Sequence, residues 1–202
     1  MARPSYVKDP AYFFLKKIKS PWKGYEDFAI WLVEEMKSEV VVDLGMGFGL
    51  STCAFAFPNQ GKVYGIDWFE EMNFTKKAAV LDSAYKNISE LSSLRNLKNF
   101  HLIIGDYEEV VETWKLPIDI LHIDWVFSYE AVKKIYQSWS KYLKKNGVLL
   151  VHDIEKEKAS IGRFFESLDF PKIRFSQGDG LGVLTQDEEL LKKITRRWKR
   201  NC

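Results

Sequence analysis

The sequence predicts an α/β fold in which a parallel sheet is covered by helices on both faces. Five short apolar runs lack the polar alternation of a strand with one wet face, and such runs are typical of strands buried on both sides. Stretches of helical period separate them, which indicates right-handed parallel crossovers. The runs lie at residues 40–44, 62–66, 100–104, 118–123 and 147–151. A doubly wound α/β sheet is therefore expected.

The helices are predicted from apolar residues that recur every three to four positions. Phe28, Trp31, Leu32 and Met36 indicate a leader helix over residues 25–37. The helical stretches between the strands cover roughly residues 50–57, 75–95, 107–114, 129–143 and 157–168.

The end of the chain departs from the strand–helix rhythm. Residues 173–176 and 182–185 are short apolar runs on either side of a glycine-rich turn at 177–180, with no room for a helix between them. Such a pattern predicts an antiparallel hairpin. Residues 187–200 then form a helix with an apolar stripe and many cations. Those cations are interpreted as a solvated face, and contact with RNA phosphates or an anionic membrane is the alternative.

Length and composition predict one domain with small additions. The chain has 202 residues, with 30 Lys and Arg against 28 Asp and Glu, so charge does not demand a nucleic-acid partner. Two cysteines argue against a disulfide-bonded secreted fold, no apolar run approaches the length of a membrane helix, and a cytoplasmic location is expected. We divide the chain into an arm and leader helix that close as a lid (1–38), the sheet domain (39–186) and the basic helix (187–202).

The strongest chemical signal is the glycine turn that follows the first strand. Gly45, Gly47 and Gly49 have the spacing G-x-G-x-G, whereas a dinucleotide site has G-x-G-x-x-G. Asp43 stands two residues before the first glycine and suits a ligand that carries an ammonium group. The turn therefore favours S-adenosylmethionine (SAM) over NAD, and a turn used for packing alone is the alternative.

Acidic residues follow the next two strands. Asp67 ends the second strand, where a carboxylate accepts bonds from both ribose hydroxyls, and Trp68 is predicted to contact the cofactor beside it. Asp106 after the third strand is predicted to accept from the adenine amine, with Tyr107 stacked on the ring; a helix N-cap is the alternative for Asp106. Ligands of open α/β sheets bind at this carboxyl edge.

These motifs resemble a known family. Residues 43–49, 66–67 and 105–106 resemble the cofactor motifs of class I SAM-dependent methyltransferases, and residues 119–129 and 147–153 resemble the methyltransferase domain family of type 24, close to sugar and catechol O-methyltransferases. The resemblance covers residues 39–186. It implies a Rossmann-like seven-stranded sheet in the order 3-2-1-4-5-7-6, with the last strand antiparallel.

Asp124 and Asp153 are the predicted catalytic pair, and Asp124 is also predicted to contact the cofactor. They follow the fourth and fifth strands, and neighbouring strands lie about 4.8 Å apart, so the two carboxylates can share a divalent cation such as Mg²⁺. Such a cation would activate and orient an acceptor hydroxyl, and the resemblance likewise implies metal ligands here. Where relatives have Asn or Asp after the second acid, this chain has Ile154, and Glu155 is a speculative third ligand.

Other residues receive plainer interpretations. The two strand histidines, His122 and His152, are predicted to be hydrogen-bonded core residues, with contact to the substrate as the alternative. Cys53 is predicted to be buried packing. The aromatic residues at strand ends either line an acceptor pocket or pack beneath loops: Trp68, Trp125, Phe127 and Tyr129. In the type 24 family, Gly and His usually stand where this chain has Trp125 and Phe127.

The sequence therefore predicts SAM-dependent O-methylation of a small-molecule hydroxyl. The alternative is a SAM-binding module that has lost or altered its catalysis and binds RNA or protein.

Overall fold

A computed structural model describes residues 5–68, 74–124 and 128–198. Seven strands form one sheet in the order β3-β2-β1-β4-β5-β7-β6, as the resemblance implied. The strands are β1 Val40–Leu44, β2 Lys62–Asp67, β3 Phe100–Ile104, β4 Ile118–Ile123, β5 Leu143–His152, β6 Lys172–Phe175 and β7 Leu181–Thr185.

The helices cover both faces of the sheet. They are α1 Pro10–Leu15, α2 Glu26–Met36, α3 Leu50–Ala56, α4 Phe74–Arg95, α5 Tyr107–Thr113, α6 Tyr129–Trp139, α7 Arg163–Ser167 and α8 Glu188–Trp198. Val41 belongs to the core on the side of α2 and α3, and the adjacent Val42 to the core on the side of α6 and α7. Successive strand residues therefore feed two hydrophobic layers, which is why the strands show no polar alternation.

The first five strands are parallel, and the end of the sheet reverses direction. β5 pairs with β7 and β7 with β6 in antiparallel fashion, which confirms the predicted hairpin. Because β1 to β5 all point the same way, their carboxyl ends meet at one edge, where Asp67 ends β2 and Asp106, Asp124 and Asp153 follow β3, β4 and β5.

Two element boundaries differ from the sequence prediction. The helix predicted over 129–143 ends at Trp139, and β5 begins at Leu143, because residues before Gly147 already pair with the start of β4 across an irregular register. The helix predicted over 157–168 begins as a wide turn at Lys158–Gly162. A Cβ on Gly162 would lie 2.6 Å from the carbonyl oxygen of Ile154, so the close approach of two backbone segments requires glycine there.

The N-terminal segment is part of the core. Ala11, Leu15, Ile18, Trp22 and Tyr25 are all buried and pack in the same cluster as α2 and α3. The structure thus places this segment against the sheet layer, and its closure as a lid stays a prediction.

The C-terminal helix α8 is anchored through its apolar stripe. Leu190 and Ile194 are buried, and the Trp198 ring packs edge-on against Phe28. Lys193 pairs with Glu35 on α2. No helix in the described ranges combines the length and the apolar character needed to cross a bilayer.

Candidate active site

The glycine turn joins β1 to α3 with backbone angles that favour glycine. Gly45, Gly47 and Gly49 have φ of 90°, 49° and 85°, in the left-handed region that L side chains adopt at a cost. A Cβ placed on Gly47 would have no atom of the described residues within 4 Å. The middle of the turn therefore faces open space, where a ligand can approach the backbone.

Four hydrogen bonds hold the turn in place. The Gly45 N–H donates to the Ile66 carbonyl at 2.8 Å, and the Gly49 N–H donates to the Met46 carbonyl at 2.7 Å. The Gly47 N–H donates to Oδ2 of Asp67 at 2.8 Å, and the Asn87 side chain donates to the Phe48 carbonyl at 3.0 Å. The turn is thus supported by β2 on one side and by α4 on the other.

Asp67 and Asp106 lie at the ends of neighbouring strands. Asp67 is buried and contacts the turn through its carboxylate, and the Gly105 N–H donates to its carbonyl. Asp106 caps α5 by accepting from the Glu108 N–H at 2.7 Å, so the alternative interpretation as an N-cap describes what the structure shows. Trp68 and Tyr107 are both half-buried beside these acids.

Asp43 lies within β1, just below the carboxyl edge of the sheet. It is 0% exposed. Its Oδ2 accepts from the hydroxyls of Ser51, at 2.7 Å, and Thr52, while its Oδ1 lies 2.7 Å from Nδ1 of His122. The carboxylate offers no exposed oxygen to an ammonium group; it supports the turn from beneath.

The predicted catalytic pair lies in a cluster with a histidine. Nδ1 of His152 lies 2.8 Å from Oδ1 of Asp124 and 3.3 Å from Oδ1 of Asp153. One potential ligand atom from each of the three residues lies within 4.8 Å of the others. Among the described residues, His152 Nε2 and Asp153 Oδ1 are buried atoms without a hydrogen-bond partner.

The electrostatics of the cluster follow from burial and mutual contact. Burial alone would raise the pKa of Asp124, but the His152 imidazole outweighs it and the pKa is lowered. Burial opposes the charged form of His152, yet Asp124 and Asp153 raise its pKa. The pKa of Asp153 is raised by burial and then by the Asp124 charge, although His152 opposes the shift. The cluster thus favours a positive charge between two carboxylates.

Glu155, the speculative third ligand, lies outside this cluster. It forms ion pairs with Arg174 and, at 2.9 Å, with Lys158, and Ile154 is buried in the core. His152 takes the third place instead. Neighbouring strand residues normally point to opposite faces, but Asp153 has a φ of 63°, which lets its side chain converge with that of His152; no sequence signal announces this angle.

The remaining predicted residues are readily placed. Cys53 is buried, and burial raises the pKa of its thiol, as its interpretation as packing predicted. Tyr129 is half-buried, with the Arg163 guanidinium 4.3 Å from its ring centre. Trp125 and Phe127 lie outside the described residues.

Comparison with known proteins adds a family and a fold. A family model described as a methyltransferase domain matches residues 42–154, more than half of the chain. The uncharacterized protein y4gI of Sinorhizobium fredii is 27% identical in an alignment of 190 positions that covers 85% of this chain and 20% of that protein. The chain therefore spans about a fifth of the length of this curated relative.

Solved methyltransferases share the fold. The O-methyltransferase TomG of Streptomyces achromogenes, solved with SAM, has a TM-score of 0.66 at 14% identity, covering 88% of this chain and 90% of that chain. The O-methyltransferase of Bacillus cereus, solved with S-adenosylhomocysteine (SAH), has a TM-score of 0.61 at 17% identity, covering 87% and 86%. An rRNA methylase of Streptococcus thermophilus has a TM-score of 0.59 at 22% identity, covering 83% and 97%.

The matched segment runs from the middle of β1 to the residue after Asp153 and so includes the glycine turn and the strand-end acids. The structural likenesses, all below 25% identity, support the fold. The chain therefore belongs to the methyltransferase domain family that its sequence motifs resemble.

Proposed function

We propose that the protein is a SAM-dependent methyltransferase that methylates a hydroxyl oxygen of a small molecule. The observation that carries the proposal is the glycine turn, whose middle residue faces open space beside the buried carboxylate of Asp67. The O-methyltransferases of Streptomyces achromogenes and Bacillus cereus, which share the fold, contain SAM and SAH in their structures, and this supports the same cofactor here.

The cofactor lies along the carboxyl edge in this proposal. Its methionine end contacts the backbone of the turn at Gly45, Gly47 and Gly49, where a side chain would interfere. Asp67 accepts from the ribose hydroxyls, and Asp106 and Tyr107 contact the adenine. In sequence order along this edge, Trp68 lies between Asp67 and Asp106. Asp43 contributes by supporting the turn.

The acceptor lies at the other half of the edge, near Asp124 and Asp153. A carboxylate oxygen that accepts the acceptor hydroxyl hydrogen orients the oxygen toward the sulfonium methyl. The oxygen–carbon bond forms as the carbon–sulfur bond breaks, the hydroxyl proton passes to the carboxylate, and SAH leaves. Because the sulfonium is already an activated leaving group, positioning accounts for most of the catalysis required of the protein.

The cluster also fits a divalent cation. Two carboxylates and one imidazole converge, and two of their buried atoms have no hydrogen-bond partner among the described residues. We propose that Asp124, His152 and Asp153 hold a dication; once bound, it would lower the pKa of the acceptor hydroxyl. Mg²⁺ prefers oxygen ligands throughout, whereas an imidazole suits transition metals, so we expect Mn²⁺ to bind more tightly than Mg²⁺.

The proposed activity predicts methyl transfer from SAM labelled in its methyl group. We expect label in at least one member of a panel of catechols, sugars and polyphenols, and SAH binding measurable by calorimetry. Asp67→Asn should weaken SAH binding by about tenfold or more, because a hydrogen bond to a charged group is lost, whereas Asp82→Asn on the exposed face of α4 serves as the control. Label in RNA but in no small molecule would contradict the proposed acceptor class.

The metal proposal is tested by an experiment that does not depend on the cofactor proposal. Mn²⁺ titrated into the protein should bind, and Asp153→Asn should reduce the affinity by about tenfold or more. Glu155→Gln removes the same charge two residues away and should bind Mn²⁺ like the wild type. Equal losses of Mn²⁺ affinity in the two variants, or no Mn²⁺ binding by the wild type, would contradict the proposed metal site. Neither result would bear on the proposed cofactor site.

A further inference from the structure

A buried chain of hydrogen bonds connects the N-terminal segment to the glycine turn. Nε1 of Trp22 donates to Nε2 of His122 at 3.1 Å, and Nδ1 of the same imidazole lies 2.7 Å from Oδ1 of Asp43. The three residues are 1%, 0% and 0% exposed. Trp22 lies in the N-terminal segment, His122 in β4 and Asp43 in β1, so the chain of hydrogen bonds connects three separate parts of the fold.

Donor chemistry determines the state of the imidazole. An indole N–H can only donate, so Nε2 of His122 must accept. The imidazole hydrogen is therefore on Nδ1, where it donates to the Asp43 carboxylate. The hydrogen bond from Trp22 thus defines the tautomer of His122, because a hydrogen on Nε2 would point directly at the Trp22 N–H.

The chain continues to both ends of the glycine turn. Asp43 precedes Gly45 by two residues, and its other oxygen accepts from Ser51 and Thr52 in the first turn of α3, just after Gly49. One carboxylate thus ties the entry of the turn to its exit.

Aromatic packing keeps this arrangement rigid. Phe55 on α3 packs against both the Trp22 ring, at 5.7 Å between centroids, and the His122 ring, at 5.6 Å. The imidazole therefore has few ways to turn without losing contacts.

We propose that Trp22 and His122 are positioning residues for the cofactor turn, so that cofactor affinity depends on the N-terminal segment. The inference rests on the proposed function, since it assigns a role in binding the same cofactor. Such coupling is reciprocal: if Trp22 strengthens cofactor binding, the cofactor must in turn change the environment of Trp22.

Three variants separate the links of the chain, and each is measured for SAH affinity and for stability. Trp22→Phe keeps an aromatic ring but removes the indole donor and part of the buried ring; loss of the hydrogen bond should lower SAH affinity about fivefold, the equivalent of one neutral hydrogen bond. His122→Asn keeps a donor at the place of Nδ1 and should resemble Trp22→Phe. His122→Gln keeps an acceptor at the place of Nε2 but loses the donor to Asp43, and should cost more than tenfold.

The matched control is Trp114→Phe. Trp114 is also buried, and its indole donates to the Leu116 carbonyl at 2.8 Å, remote from the turn. Its loss should change stability without changing SAH affinity, so a general effect of losing a buried indole bond is distinguished from positioning.

A second measurement is made on the wild-type protein, and Trp22→Phe is needed only to assign the indole signal of Trp22. The indole N–H signal that disappears from the NMR spectrum in Trp22→Phe should shift in the wild type when SAH is added. Wild-type SAH binding with a static Trp22 signal and with unchanged affinity in all three variants would overturn the inference alone. Absence of SAH binding by the wild type would overturn the proposed function and this inference with it.

Discussion

Gly47→Ala is expected to weaken SAH binding by at least about tenfold, which corresponds to about 1.4 kcal/mol. The new methyl group would stand in the open space over the middle of the turn, where no atom of the described residues lies within 4 Å. In the proposed complex that space belongs to the cofactor, so the methyl group competes with the ligand and not with the protein. Calorimetry with SAH measures the loss.

Gly178→Ala is the matched control for this variant. Gly178 in the β6–β7 turn has a φ of 59°, close to the 49° of Gly47, and a Cβ there also meets no described atom within 4 Å. Both variants should lose about 1–2 kcal/mol of stability from left-handed strain. Equal SAH affinities in the two variants would show that the cofactor does not approach Gly47.

Asp43→Ala is expected to lower the free energy of unfolding by about 3 kcal/mol or more. The change leaves the His122 N–H and the hydroxyls of Ser51 and Thr52 without their acceptor inside the core. Each unsatisfied buried polar group costs about 1–3 kcal/mol, although a helical hydroxyl can partly recover by bonding to a backbone carbonyl. Urea unfolding, with its midpoint and slope, measures the loss.

Two further variants define what Asp43 does. Asp43→Asn keeps the size of the side chain and one acceptor oxygen, so it should lose clearly less stability than Asp43→Ala. Asp82→Ala removes an exposed carboxylate paired only across the surface of α4 with Lys86, and should change stability by less than about 0.5 kcal/mol. A small loss in Asp43→Ala would mean that the buried chain of hydrogen bonds contributes little.

The sheet was predictable because strands buried on both faces have a characteristic sequence pattern, an apolar run without polar alternation. β1, β3 and β4 have the predicted boundaries, and the hairpin of β6 and β7 reverses direction as the short turn required. The start of β5 was missed because residues 143–146 resemble a helix end, and only pairing with β4 makes them strand. The local sequence pattern cannot show whether the backbone hydrogen bonds of these residues form within a helix or with a neighbouring strand.

The candidate site was predictable in its location but not in its contacts. Strand ends meet at one edge by topology, so acids after successive strands were expected to meet there. The structure nevertheless puts His152 in the place considered for Glu155, because of the left-handed backbone at Asp153. Asp106 serves as an N-cap, which a local pattern does indicate.

Sequence alone determined the class of fold, the glycine turn and the family, since each depends on residue types at short spacing along the chain. Tertiary structure alone decided that Asp43 supports the turn from below, that His152 contacts Asp124 and Asp153, and that Trp22 donates to His122 across 100 positions. These contacts arise from the depth of a side chain in the fold and from single backbone angles, and neither quantity is encoded in a local pattern.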